Sequence, residues 1–464
     1  MIRKTNILAC CLLLGALLLT ACHDYDGYDY KEIGLSQAER LANADSLFLN
    51  LSIVSNSTPA TRASEAEENA IYDGILAFFV GNSEINATLK NATVIDQLIN
   101  NPNEPRSTIL SGSSTIDVVQ RMPIGTHPYP ESGTGKIYVL VLLNTTSTGF
   151  DVRNNMLYLN GTSLYGKKRD EIQSMLINSV GSPDEHVGLF MTNKPKDNGQ
   201  VIIQVYDPDW VLSDQCYLYD SEEAISQSTS AKKQLSITVE RAAAKVSVAN
   251  SVSTVTPISL NGDGSKHPVV HKMSWALNNY YSRCYAIRGG SGGTLTTNSF
   301  RAADFNVYHQ QSYPSGETTY IAEGSSDVIV EVQLKDGSFL LDDCYQFNNT
   351  NDLYTSPVQL INHIKTNWWP TNKPAALSSA NVDEVFKNTK IEIASNGNVT
   401  FTLTNADLSQ TELNSLANTL SGITKGFREG KMYYTYSIAS VVRNNAYNLT
   451  LETTSITGIG RPIP

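Results

Sequence analysis

A chain of 464 residues exceeds what one hydrophobic core usually serves, so two domains are the default. Hydrophobic residues make up 41%, enough for packed cores, while charged residues make up only 17%, below the roughly 25% of ordinary globular domains. A formal net charge of -11 argues against a nucleic-acid partner.

The chain opens with basic residues (Arg3, Lys4) and an apolar run from Ile7 to Leu19. That run is shorter than the roughly 20 residues needed to span a bilayer and suits the core of a signal peptide. Leu19-Thr20-Ala21-Cys22 then places small residues before a cysteine. The pattern matches the lipobox of bacterial lipoproteins, so residues 1–22 are expected to be a lipoprotein signal ending at the lipidated Cys22. The alternative is an ordinary secretory signal with an incidental cysteine. Residues 23–45 read as a tether. Its acidic and aromatic stretch, Asp24 to Tyr30, resembles the surface-export signal of some outer-membrane lipoproteins and reads equally well as a solvated leader.

Ser46 to Val54 alternates. Leu47, Leu49, Leu51 and Ile53 fall on one side of an extended chain, with Asn50 and Ser52 on the other, which predicts a strand with one strongly apolar face. Thr58-Pro59-Ala60-Thr61-Arg62-Ala63-Ser64 follows, then Glu65, Glu67 and Glu68. Pro59 stops regular pairing, and small polar neighbours make an exposed segment of the sort proteases prefer. Arg62 is its only basic residue. Residues 23–62 are therefore expected to be a propeptide carrying a removable strand, with cleavage between Arg62 and Ala63.

Strand signals dominate the rest. Ile71 to Val80 is apolar, with Gly74 as a candidate bulge. Lys136 to Leu143 is continuous and β-branched, as in a buried strand. Val201–Tyr206, Leu235–Val239 and Val328–Leu334 alternate, and Met432–Ile438 and Tyr447–Leu451 close the chain. Helical candidates are Lys168–Ser179, Pro357–Thr366 and Asp407–Leu420. Strands separated by polar Asn/Ser/Gly-rich loops predict an all-β chain of sandwiches with long loop insertions. The boundary is expected in Val239 to Val248, dividing the chain into sandwiches at 63–242 and 243–464 that sit end to end.

Chemistry-bearing patterns are sparse. Cys10 and Cys11 leave with the signal, so Cys216, Cys284 and Cys344 remain. Three cysteines allow at most one internal bridge, and no CxxC supports a zinc site; buried or weakly reactive thiols are expected. The seven histidines form no HExxH, and Pro268 opposes a helix between His267 and His271. Gly289 to Gly293 lacks the lysine of a phosphate loop. Asn261-Gly262-Asp263-Gly264 lacks the glutamate of a calcium loop and reads as a turn. Trp368 and Trp369, if extended, point to opposite faces, which leaves core packing or an exposed binding surface open. No enzymatic activity, cofactor or metal is expected.

The ordered set of these features resembles the fimbrillin family of Bacteroidales type V pili. The resemblance rests on the lipobox at Cys22, the strand before Thr61-Arg62-Ala63, and the following IYDGILAFFV. It continues in VERAAAKVSV (239–248), SWALNN (274–279), GKMYYTYSI (430–438) and VVRNNAYNLTLETTSITGIG (441–460). It implies two transthyretin-like β-sandwiches, export as an outer-membrane lipoprotein, trimming by an arginine-specific protease, and assembly with other fimbrial subunits by strand exchange into an extracellular fimbria. Shaft members continue beyond the GIG motif with a donor strand, whereas this chain ends at Gly460-Arg461-Pro462-Ile463-Pro464. Prolines cannot donate ladder hydrogen bonds, so a tip position with a host or bacterial surface receptor is expected. The alternatives are a shaft subunit and a non-polymerising surface lipoprotein that binds glycan or host protein.

Overall fold

The computed structural model describes residues 41, 44, 46–56, 70–98, 113–122, 135–182, 187–207, 217–227, 234–251, 258–281, 283–289, 297–298, 313–314 and 317–451. Strands predominate among the described residues, and the chain is all-β with a few helices, of which Gln410–Ile423 has 14 residues. No helix among the described residues is long and apolar enough to cross a membrane.

The N-terminal half is built on one nine-stranded sheet. Its strands are β1 (Phe48–Asn56), β2 (Gly74–Gly81), β3 (Thr88–Val94), β4 (Ser113–Arg121), β5 (Lys136–Leu143), β6 (Met191–Asn193), β7 (Ile203–Tyr206), β8 (Leu218–Tyr219) and β9 (Leu235–Arg241). They run in the order β8-β1-β9-β6-β5-β2-β3, with β4 on β1 and β7 on β5. The continuous apolar run of β5 has a physical reason: it pairs with β2 along its length and is buried on both faces. Leu140 and Leu142 enter one core, and Val139, Val141 and Leu143 enter another.

Gly74 is not a bulge. It opens β2, and the register shift lies between Phe78 and Phe79 instead. A Cβ at Gly74 would come within 2.7 Å of Ile95 Cδ1 and 2.9 Å of Leu143 Cδ2. The glycine is there because apolar side chains close directly over the backbone.

The C-terminal half begins two residues after β9 with β10 (Ala243–Asn250), followed by β11 (Val269–Asn278), β12 (Thr318–Ala322) and β13 (Gly324–Asp336). β10 lies between β12, antiparallel, and the last described strand β20 (Ala446–Leu451), parallel. β13 pairs with β11 on one edge and with β19 (Lys431–Val441) on the other. Alternate residues of β13, Val328, Val330, Val332 and Leu334, fill the core with Trp275 and Met432.

β13 and β19 are antiparallel neighbours that a short hairpin could join. The chain instead spends residues 341–430 on a folded insertion. It comprises β14 (Cys344–Phe347), β15 (Asp352–Tyr354), helix α1 (Pro357–His363), β16 (Asn388–Ile393), β17 (Val399–Thr404), helix α2 (Gln410–Ile423) and β18 (Thr424–Phe427). The expected long insertion is thus a unit with its own core, in which Leu360, Ile364, Phe401, Leu413 and Leu416 meet. Ser356 caps α1 by accepting from the Gln359 N–H at 3.3 Å, with Pro357 opening the helix. Trp368 and Trp369 are not extended: a π-helical turn, Ile364–Trp368, leads into Trp369–Asn372. Trp369 is buried edge-on against Phe386, and Trp368 is half-buried against Phe347.

Candidate functional site

The expected removable strand lies inside the sheet. Leu47 precedes β1 and is 2% exposed, while Leu49, Leu51 and Ile53 are fully buried. They meet Phe78, Val118, Val139, Leu218 and Ile237 in one cluster. Burying four such side chains stabilises by roughly 6–12 kcal/mol before ordering costs. The alternation that identifies the strand is what sends these four to the core and Phe48, Asn50, Ser52 and Val54 to the other, half-buried side.

Both edges of β1 are occupied. β4 runs antiparallel along all of it, from Phe48↔Arg121 to Asn56↔Ser113. The other edge is shared: β8 takes Phe48 and Leu49, and β9 runs parallel from Leu51↔Leu235 to Ser55↔Val239. At the start of the strand the Met122 N–H donates to the Leu47 carbonyl at 2.7 Å. Gln234 Nε2 donates to the Leu51 carbonyl at 3.2 Å and to Asp117 Oδ1 at 2.9 Å. Arg121 donates to Ser46 Oγ through Nε at 3.0 Å and Nη2 at 2.6 Å. Two further groups therefore hold the strand: Gln234 by its backbone and Arg121 by a side chain. With β1 absent, the vacated slot would show two rows of unpaired peptide groups over apolar pockets.

The chain that resumes after residues 57–69 is pinned separately. The Tyr72 N–H donates to Asn144 Oδ1 at 2.9 Å, and Asn144 Nδ2 donates to the carbonyls of Ala70 at 2.8 Å and Leu189 at 2.9 Å. Asn144 is fully buried and adopts φ 57, a left-handed conformation that asparagine tolerates better than most residues. Beside it, Asp73 accepts from the N–H and hydroxyl of Thr145, both at 2.6 Å, and from the Thr146 hydroxyl at 2.7 Å.

A second polar cluster joins the two halves. Glu240, at the end of β9, is 1% exposed and pairs with Arg288 of the C-terminal half at 3.0 Å. Arg288 donates to the Arg443 carbonyl at 3.0 Å. Arg443, whose side chain is fully buried, grips Glu323 through Nε at 3.0 Å and Nη2 at 2.6 Å, and also reaches the Tyr285 carbonyl at 3.0 Å. Desolvation by burial pushes the Glu240 carboxyl up to about 7, against the opposing pull of Arg288 and Arg443. The hydrophobic core here is also shared: Leu140, Phe190 and Ala242 pack in one cluster with Cys284, Ala286 and Ala322.

Cys22, Arg62, Ala63 and Cys216 lie outside the described residues. Cys284 and Cys344 are buried free thiols, which burial pushes up to about 11 and about 12. Among the described residues no group of three His, Cys, Asp or Glu side chains could hold a metal ion. Asn261–Gly264 forms a turn, with Asp263 accepting from the Ser265 N–H and hydroxyl. Sequence reasoning found the leucines but not Arg121, Gln234, Asn144 or Asp73. Each of these acts across a long sequence separation, and nothing in its local pattern marks it.

No family model matches the chain, and no curated protein is significantly similar to it. Among solved structures it is similar to a fimbrial assembly protein from Parabacteroides distasonis, at 13% identity over 64% of this chain and 83% of that one, with a TM-score of 0.33. It is also similar to a C-terminally truncated tip fimbrial protein from Porphyromonas gingivalis, at 11% identity over 62% of this chain and 78% of that one, with a TM-score of 0.26. Overlaps of this size decide neither fold nor function.

Proposed function

We propose that this protein is a structural, adhesive subunit of a cell-surface fimbria. It is exported as an outer-membrane lipoprotein through Cys22, cut between Arg62 and Ala63 by an arginine-specific protease, and assembled with other subunits by strand exchange. The body then consists of sandwich units at 63–242 and 243–464, and the mature form is extracellular. One observation carries the reading. β1 fills an apolar slot between β4 and β9, and it is joined to the body through a segment whose sole basic residue is Arg62. A cut there separates the strand from the chain while leaving the slot's walls in place, and such a slot takes a partner's strand by backbone pairing.

N-terminal sequencing of the protein recovered from cell-surface fibres tests this. A start at Ala63 is expected, and the Arg62→Ala variant should accumulate as lipidated, unpolymerised precursor. Normal incorporation of that variant into fibres would reject the reading.

A further inference from the structure

We infer that Arg121 is a selectivity residue for the strand that enters the slot, and that it favours a carboxylate at the position Ser46 occupies in the precursor. The inference rests on the strand-exchange reading above and adds the chemistry of the partner.

The guanidinium directs two N–H groups, Nε and Nη2, at a single hydroxyl oxygen. Among the described residues Ser46 is its hydrogen-bond partner. Arg121 closes β4 opposite Phe48 and is itself exposed, so removing β1 leaves the fork solvated rather than collapsed. Two parallel N–H groups of this kind match the two oxygens of a carboxylate better than one shared hydroxyl, and the charge strengthens both bonds. The resident strand therefore fills the four apolar pockets while giving Arg121 a weak acceptor. An entering strand with the same alternation, and Asp or Glu one residue before its first pocket residue, gains what Ser46 does not supply.

The rest of the slot reads only direction and apolar period. Gln234 grips a main-chain carbonyl, which every sequence offers. Antiparallel pairing to β4 and parallel pairing to β9 fix which way the occupant runs. Arg121 is thus where side-chain identity at the mouth of the slot is read. The pair is solvent-exposed, so the discrimination is modest, about three- to fivefold.

The test uses the full chain, limited-digested after Arg62 with the single cut verified by mass. Fluorescent peptides of residues 46–56, in native, Ser46→Glu and Ser46→Ala forms, compete for the slot, and equilibrium occupancy is read. The expected order is Glu above Ser above Ala, collapsing in Arg121→Gln protein. In Arg121→Glu protein a Ser46→Lys peptide should outcompete the Ser46→Glu peptide. An unchanged order in Arg121→Gln, or no preference for Glu in the unsubstituted protein, overturns the role of Arg121 while leaving the slot intact. Failure of every peptide to enter overturns the slot and this inference together.

Discussion

Glu240 and Arg288 form an asymmetric ion pair: at 3.0 Å separation the carboxylate is 1% exposed, while a third of the guanidinium side chain still meets solvent. The acid bears most of the desolvation, and burial outweighs the cation in setting its protonation. This asymmetry makes the joint between the two halves sensitive to pH.

The sign follows from linkage. The Glu240 carboxyl titrates near 4.3 when unfolded and at about 7 in the folded chain. Its contribution to stability is fully present below the unfolded value and is lost as pH rises through the folded one. Replacing Glu240 with Gln should leave stability near pH 4.5 little changed. The variant should then gain about 3 kcal/mol over the unsubstituted protein by pH 8. Parallel urea titrations across that range check it, and an unfolding free-energy difference that is flat with pH would refute the assignment.

Arg443 should behave oppositely. Its side chain is fully buried and doubly bonded to Glu323, so Arg443→Met leaves a carboxylate without its partner. Breaking a buried pair in this way costs about 3–5 kcal/mol. The double variant Arg443→Met, Glu323→Gln should recover a substantial part of that loss in the same denaturation assay.

Asn144→Ala removes the acceptor of the Tyr72 N–H and the donor to two carbonyls, with an expected cost of about 1–3 kcal/mol for each buried group left unpaired. Asn144→Gly separates the two roles of the residue, because glycine accepts φ 57 without strain. If the amide carries the effect, both variants should lose hydrogen-exchange protection at the start of β2. If backbone conformation carries it, only the alanine should.

Leu51→Ala should destabilise the uncut chain by about 2–5 kcal/mol, since the side chain is fully buried among large apolar neighbours. After cleavage at Arg62, the cut strand should leave the body at least tenfold faster than its unsubstituted counterpart, as read by size-exclusion chromatography and mass. Equal retention would mean that the pockets do not hold the strand.

Much of this architecture is legible in sequence where a segment's pattern and its environment agree. β1 alternates because one face meets a core, and β5 is continuous because both of its faces are covered. β13 alternates in sequence although both faces are buried at its middle, where Ile329 packs with Ala276 and Tyr433 and buried Glu331 accepts from the Tyr433 hydroxyl at 2.8 Å. Reading fails where tertiary partners decide. The helix expected over Lys168–Ser179 shortens to Arg169–Gln173, because Leu176 and Ile177 pair with Tyr285 and Cys284. The strand Ser113–Arg121 carries only a weak apolar period, and its nine-residue pairing with β1 makes it a strand. The pairs Arg121–Ser46 and Asn144–Ala70 lie more than seventy residues apart. Only the folded sheet brings them together.

The direction of the slot has a mechanical consequence. An occupant lies along β4 and β9 with its ladder hydrogen bonds crosswise to its own axis. Tension applied along that axis shears the bonds together instead of peeling them one at a time. Because β9 runs almost directly into β10, the load on a strand in the slot passes through continuous backbone into the other half of the chain.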